Sequence, residues 1–240
     1  MTIPKLDITP KYNLVIPSTG EKVKYRPYLV KEEKLLLLAL EDNDPVSTSE
    51  AVIELIKACV DKDLDEKNLT TFDMDYLFCQ IRAKSVGENV DLSIECEAEG
   101  CDHVSSVPAN ISKASIDMSV KNEKMIKITD SISVEMKYLS YYDYLRNADM
   151  AEDESEATLV FHSILRAISA IHTDEERIDV KNEPIADLEN FVDSLNSSQY
   201  AALKTFIAKT PKVSLDVNWS CEKCNLKQTM KLEGLEDFFH

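Results

Sequence analysis

Val90-Asp91-Leu92-Ser93-Ile94, with Cys96 two residues on, and Leu215-Asp216-Val217-Asn218-Trp219, with Cys221 two residues on, are the stretches that decide the fold. Each alternates apolar and polar residues, the period of a strand with one face in a core. Val90, Leu92, Ile94 and Cys96 line up with Leu215, Val217, Trp219 and Cys221. Each strand runs into a cysteine pair, Cys96-(x4)-Cys101 in one case and Cys221-(x2)-Cys224 in the other. A return strand follows each pair, near His103–Ile111 and at Thr229–Leu232. The reading is two β-hairpins with cysteines at their tips.

Working outward, the order of elements reads as one plan written twice. In the first half, Tyr12–Ile16 and Glu21–Pro27 alternate around the turn Pro17-Ser18-Thr19-Gly20, predicting a hairpin. A helix is expected from Val30 to Glu41, with Leu35, Leu36, Leu38 and Leu40 available for burial. Asp42-Asn43-Asp44-Pro45 breaks it, and Ser47-Thr48-Ser49-Glu50 opens a second helix over Val52, Ile53, Leu55, Ile56 and Val60. Phe72–Arg82 is a third. In the second half, Met125–Ile128 and Ile132–Tyr138 predict another hairpin. A short helix follows at Tyr141–Arg146 and a longer one at Glu156–Ile171. Thr173–Glu183 reads as an acidic connector. Helices are expected at Ile185–Leu195 and Ser198–Ala208, the latter capped by Ser197. The fold class is therefore α+β, with an N-terminal half at 1–118 and a C-terminal half at 119–240, related by internal duplication. The polar segment Ser112–Lys124 serves as a linker or an interface strand.

The cysteine tips point to a metal. A tight turn aims two thiolates at one point, and a structural zinc needs four ligands in a tetrahedron. Cys96, Cys101, Cys221 and Cys224 supply four, and one shared zinc would staple the two halves together. Two other arrangements fit the spacing: four reduced thiols with no metal, or one tip completed by His103. Such a zinc would be structural. Cys59 and Cys79 lie on apolar helix faces and read as small buried residues.

Composition narrows the function classes. The formal net charge of −17 argues against nucleic acid and anionic membranes as partners. No apolar run approaches the ~18 residues of a membrane span, and the first residues lack a signal-peptide pattern, so a cytoplasmic protein is expected. With Gly20, Gly87, Gly100 and Gly234 scattered singly, no phosphate-cradling loop can form. His162 and His172 stand ten residues apart and do not share a metal. No nucleophile–base set is evident, so neither an enzyme nor a small-molecule substrate is expected.

Three stretches carry a family resemblance: Pro17–Lys34, Phe72–Glu88, and the ending, which runs from Gln199-Tyr200 through Phe206 and Pro211 to Glu233-Gly234-Leu235-Glu236-Asp237-Phe238-Phe239. Together they resemble the baseplate hub subunit family of T-even-type contractile-tailed bacteriophages, over nearly the whole chain. The resemblance implies a non-enzymatic role in building the hub, with other phage tail and baseplate hub proteins as partners. It implies the host cytoplasm during assembly, and the virion tail baseplate if the protein stays in the particle. The alternatives are an assembly chaperone absent from the mature virion and a zinc-stabilised adaptor for a non-tail partner. Aromatic residues suited to contacts are Tyr25, Tyr28, the cluster Tyr138, Tyr141, Tyr142 and Tyr144, and Phe238-Phe239.

Overall fold

The structure, a computed structural model, describes residues 9–41, 44–65, 67–118, 123–150 and 154–234. Helices and small antiparallel sheets alternate along the chain, so the fold class is α+β. The chain divides into two compact units. One comprises Met1–Leu64, Phe72–Asp117 and Lys212–His240; the other comprises Asp65–Thr71 and Met118–Pro211. Residues 212–240, however, group with the first unit rather than with the rest of 119–240.

The first unit opens with hairpin β1 (Tyr12–Val15) and β2 (Lys22–Tyr25), in register Tyr12↔Tyr25. Helices α1 (Val30–Glu41) and α2 (Pro45–Cys59) follow. The start of α2 is earlier than the sequence pattern indicated. Asp44 accepts from the N–H groups of Val46 and Ser47, and Pro45 begins the helix, where its missing N–H costs nothing. Along α2, Val52, Ile53, Leu55 and Ile56 are buried as expected. On α1 the buried residues are Glu32 and Leu36, while Val30, Leu35, Leu37 and Leu38 are exposed. α3 (Thr71–Ser85) is buried along most of its length, including the carboxylate-bearing Asp73, which accepts hydrogen bonds from the Ser18 N–H and hydroxyl.

Next come β3 (Asn89–Glu95) and β4 (Val104–Asn110), paired in register Glu95↔Val104, and the two-residue strand β5 (Ser115–Ile116). The final hairpin, β10 (Val213–Ser220) with β11 (Lys227–Glu233), pairs its first residues to β5 through Val213↔Ile116 and Ser214↔Ser115. That pairing makes Ser115–Ile116 a strand and, with a shared core, places residues 212–234 in this unit. One core joins both hairpins: Leu92, Ile94, Val107 and Ala109 pack with Val213, Leu215, Val217, Trp219 and Leu232 beneath Cys79 and Ala83 of α3.

The second unit is a four-stranded antiparallel meander: β6 (Met125–Lys127), β7 (Ser133–Met136), β8 (Ile168–His172) and β9 (Arg177–Asp179). Its helices are α4 (Tyr141–Met150), α5 (Glu156–Ala167), α6 (Ile185–Asp193) and α7 (Ser197–Ala208). Three expectations change here. The long helix ends at Ala167 and the chain continues as β8, whose residues Ile168 and Ala170 face the core. The acidic connector contains β9. The cap of α7 is Asn196, not Ser197: its side chain takes the Ser198 and Gln199 N–H groups, and Gln199 reaches back to the Asn196 N–H. The core gathers Val134, Met136, Ile164, Leu165, Leu188, Val192, Leu203 and Phe206, with Tyr138 stacked on Phe206 at 5.5 Å.

A charged clasp sits on this sheet. Glu135 meets His172 at 2.8 Å and Arg177 at 3.0 Å. The Arg177 guanidinium, then His172, hold the Glu135 carboxyl down at about 2, against an ordinary 4.5. Because the folded state binds this proton more weakly than the unfolded chain, the clasp contributes fully above pH 4.5 and its contribution is lost as pH falls to about 2. Glu135→Gln is therefore expected to flatten the acid limb of the stability curve in that window and leave stability above it lower. Urea denaturation across pH 2–6 checks this; an unchanged acid limb would count against the clasp.

Candidate metal centre

The alternation of β3 and β10 places the cysteines. Leu92 and Ile94 face inward, so Cys96, on the same parity, does too; Leu215, Val217 and Trp219 carry Cys221 inward in the same way. Each ladder then extends one step into the tip, with Cys96 N–H donating to the His103 carbonyl at 2.9 Å and Cys221 N–H to the Leu226 carbonyl at 3.0 Å. In the first tip, Cys101 N–H closes a turn on the Ala98 carbonyl, with Gly100 at φ +78°. In the second, Asn225 N–H bonds the Cys221 carbonyl, and Asn225 takes φ +57°, a conformation Asn tolerates better than most residues.

The four sulfurs converge. Their atoms all lie within 4.8 Å of one another, with Cys96 Sγ 3.6 Å from Cys224 Sγ and Cys101 Sγ 3.8 Å from Cys221 Sγ. Both short approaches cross from one hairpin to the other. They are far longer than the ~2.05 Å of a disulfide, and all four cysteines are free. Cys96, Cys101 and Cys221 are buried and Cys224 is exposed. Both pairs lie within the first unit, so a shared ion would join two hairpins of that unit, not one half of the chain to the other. The His103 ring is outside the group; its Nε2 stands 3.8 Å from a Glu222 carboxylate oxygen.

Every sulfur faces a backbone N–H two residues ahead: Ala98 for Cys96, His103 for Cys101, Lys223 for Cys221 and Leu226 for Cys224. Cys221 also faces the N–H of Cys224, and these donors bring its thiol down to about 6. At Cys224 the Leu226 N–H pulls the same way, but burial and the neighbouring sulfurs push the thiol up to about 12. Cys221 thus ionises more readily than Cys101 or Cys224, whose thiols are pushed up. Gln228 escaped the sequence reading. Its Nε2 donates to Cys96 Sγ at 3.1 Å while its Oε1 accepts the Glu97 N–H at 3.1 Å, tying one tip to the other. A glutamine seven positions beyond Cys221 carries no signal until the two hairpins are side by side. Cys59 and Cys79 are buried as expected, and burial pushes their thiols up to about 11 and about 12, which makes them inert.

The family model described as T4 bacteriophage base plate protein matches residues 9–240. The chain belongs to that family. No curated protein and no solved structure matches it. Membership in a baseplate family implies a structural part in the virion tail baseplate, among other baseplate proteins. Among the described residues no helix is long and apolar enough to cross a membrane. Two of the stretches that carry the resemblance meet in the fold. Ser18 of the first bonds Asp73 of the second, and the Tyr28 N–H donates to Ser85 Oγ at 2.9 Å. These residues are architectural: they set the β1–β2 hairpin on α3.

Proposed function

We propose that this protein is a non-enzymatic component of the phage baseplate hub that works by binding other hub proteins. The family match over residues 9–240 carries the reading. A surface feature supports it. Val30, Leu35, Leu37 and Leu38 occupy the half of α1 turned away from buried Leu36, an apolar face that a neighbouring subunit would cover. The aromatic residues divide. Tyr25 and Tyr141 belong to the interior, Tyr142 and Tyr144 are exposed and suit contact, and Phe238-Phe239 lies outside the described residues. The −17 charge favours partners with basic surfaces. The repeated strand-to-cysteine junctions support an origin by duplication.

Co-expression with candidate hub proteins followed by size-exclusion chromatography tests the reading. A stable complex is expected, and Leu35→Lys with Leu38→Lys is expected to abolish co-elution. The same pair changes folding stability by no more than about 0.5 kcal/mol per exposed site, so unchanged melting separates lost binding from lost fold. Recovery of only non-tail partners, with no hub protein bound, would overturn the proposal in favour of an adaptor.

A further inference from the structure

Four sulfurs from two hairpins, 120 positions apart at Cys101 and Cys221, need a reason to converge. A thiol is a weak acceptor and gains little from an N–H aimed at it, whereas a thiolate gains a great deal. Here Cys96 receives the Ala98 N–H at 3.5 Å and the Gln228 side-chain amide at 3.1 Å, and backbone N–H groups lie toward the other three sulfurs. That is a frame built for anions. Four anions within 4.8 Å of one another repel strongly unless a cation sits among them. The spacing states its size. A tetrahedral ion with ~2.3 Å bonds to sulfur holds its ligands about 3.8 Å apart, and the two cross-hairpin approaches are 3.6 and 3.8 Å. A multi-iron cluster, whose thiolates bind separate metal atoms, requires wider separation. Tetrahedral all-thiolate sites select zinc or iron, and the single closed position suits a metal that needs no redox partner.

We propose that Cys96, Cys101, Cys221 and Cys224 bind one zinc ion as a closed tetrathiolate site that locks the β10–β11 hairpin against β3–β4. On binding, the four thiols give up their protons to solvent and four Zn–S bonds form, leaving the centre with a net charge of −2 that the surrounding N–H groups and Gln228 offset. All four positions are filled by protein, so the ion performs no catalysis. Its work is mechanical. Beyond their shared apolar core, the two hairpins meet at the tips through the Gln228 bridge and the His103–Glu222 approach, and the segment that follows β4 pairs with the start of β10 through the two-residue β5–β10 ladder. A metal at the tips pins the far end of the hairpin from that ladder. The proposal is independent of which hub protein is the partner.

The test uses the full chain, purified reduced and without chelator. Elemental analysis is expected to find about one zinc per chain. Displacing it with Co²⁺ is expected to give the visible bands of a tetrahedral site and sulfur-to-metal charge transfer of four-thiolate intensity. Cys224→Ser, at the exposed ligand, is expected to reduce that intensity to three thiolates and to weaken zinc at least tenfold against a competing chelator. A folded chain that carries no zinc and takes up no stoichiometric Co²⁺ would overturn the proposal. So would iron in place of zinc, or a Cys224→Ser variant with unchanged affinity and spectrum.

Discussion

Cys221→Ser is expected to lower the melting temperature of the full chain by about 10 °C or more, and a strong chelator is expected to reproduce most of the loss in the unsubstituted protein. Loss of a bound metal belongs to the few changes that exceed ~4 kcal/mol, and in a chain of this size each kcal/mol moves the transition by roughly 2–4 °C. Cys221 sits at 1% exposure in the core shared by both hairpins, so the hydroxyl itself adds a burial cost. Cys79→Ser separates the two contributions. Cys79 is equally buried but stands outside the four-sulfur group, so its substitution should cost about 1–3 kcal/mol and leave the chelator effect intact. In excess chelator the Cys221→Ser chain should melt below the unsubstituted one by no more than the burial cost read from Cys79→Ser. Equal sensitivity of both to chelator would point to a metal elsewhere.

Arg26→Ala is expected to destabilise the chain by about 3–5 kcal/mol, the usual cost of stripping one partner from a buried ion pair. The Arg26 guanidinium lies 2.9 Å from the Glu32 carboxylate, with the two side chains 16% and 5% exposed. It also donates to the Pro27 and Ala58 carbonyls, each at 2.9 Å, so it ties β2, the start of α1 and the end of α2 together. Burial alone would raise the Glu32 carboxyl; Arg26, the Leu29 N–H and Lys31 outweigh it and hold it below its ordinary value. Removing Arg26 leaves that carboxylate buried and undercompensated; because the parent loses this pairing as pH falls, the gap between variant and parent should narrow toward acid pH. Arg26→Met with Glu32→Leu should recover much of the loss, because no charge is then stranded. Thermal melts of the single and double variants check this. A single variant within 1 kcal/mol of the parent would show that water or Lys31 replaces the guanidinium.

The strands leading to the cysteines were legible because period-2 alternation is a local signal: the parity that buries Leu92 and Ile94 also buries Cys96. The cysteine pairs likewise marked four thiols that the fold brings within 4.8 Å of one another. What lay beyond reach depended on distant contacts. Ile168-Ser169-Ala170-Ile171-His172 continues the apolar pattern of α5 and becomes a strand only because β7 is there to pair with it. Arg177-Ile178-Asp179 is too short and charged to read as a strand without β8 beside it. The place of residues 212–234 in the first unit rests on the core they share with β3 and β4 and on a two-residue pairing with Ser115 and Ile116, neither of which a local pattern marks. On α1 the leucine run told how much apolar surface there was, not which part would find a partner within the chain. Asn196-Ser197-Ser198-Gln199 did carry a capping box, and the neighbouring serine hid it.

Quantitative mass spectrometry of purified mature virions and of their isolated tails tests most directly whether this baseplate-family protein is a component of the hub. The account predicts peptides of this chain in tails, in fixed proportion to known hub proteins and retained after stringent washing. Its absence from mature tails, with the chain present in infected-cell assembly intermediates, would contradict a structural role and assign it to assembly alone.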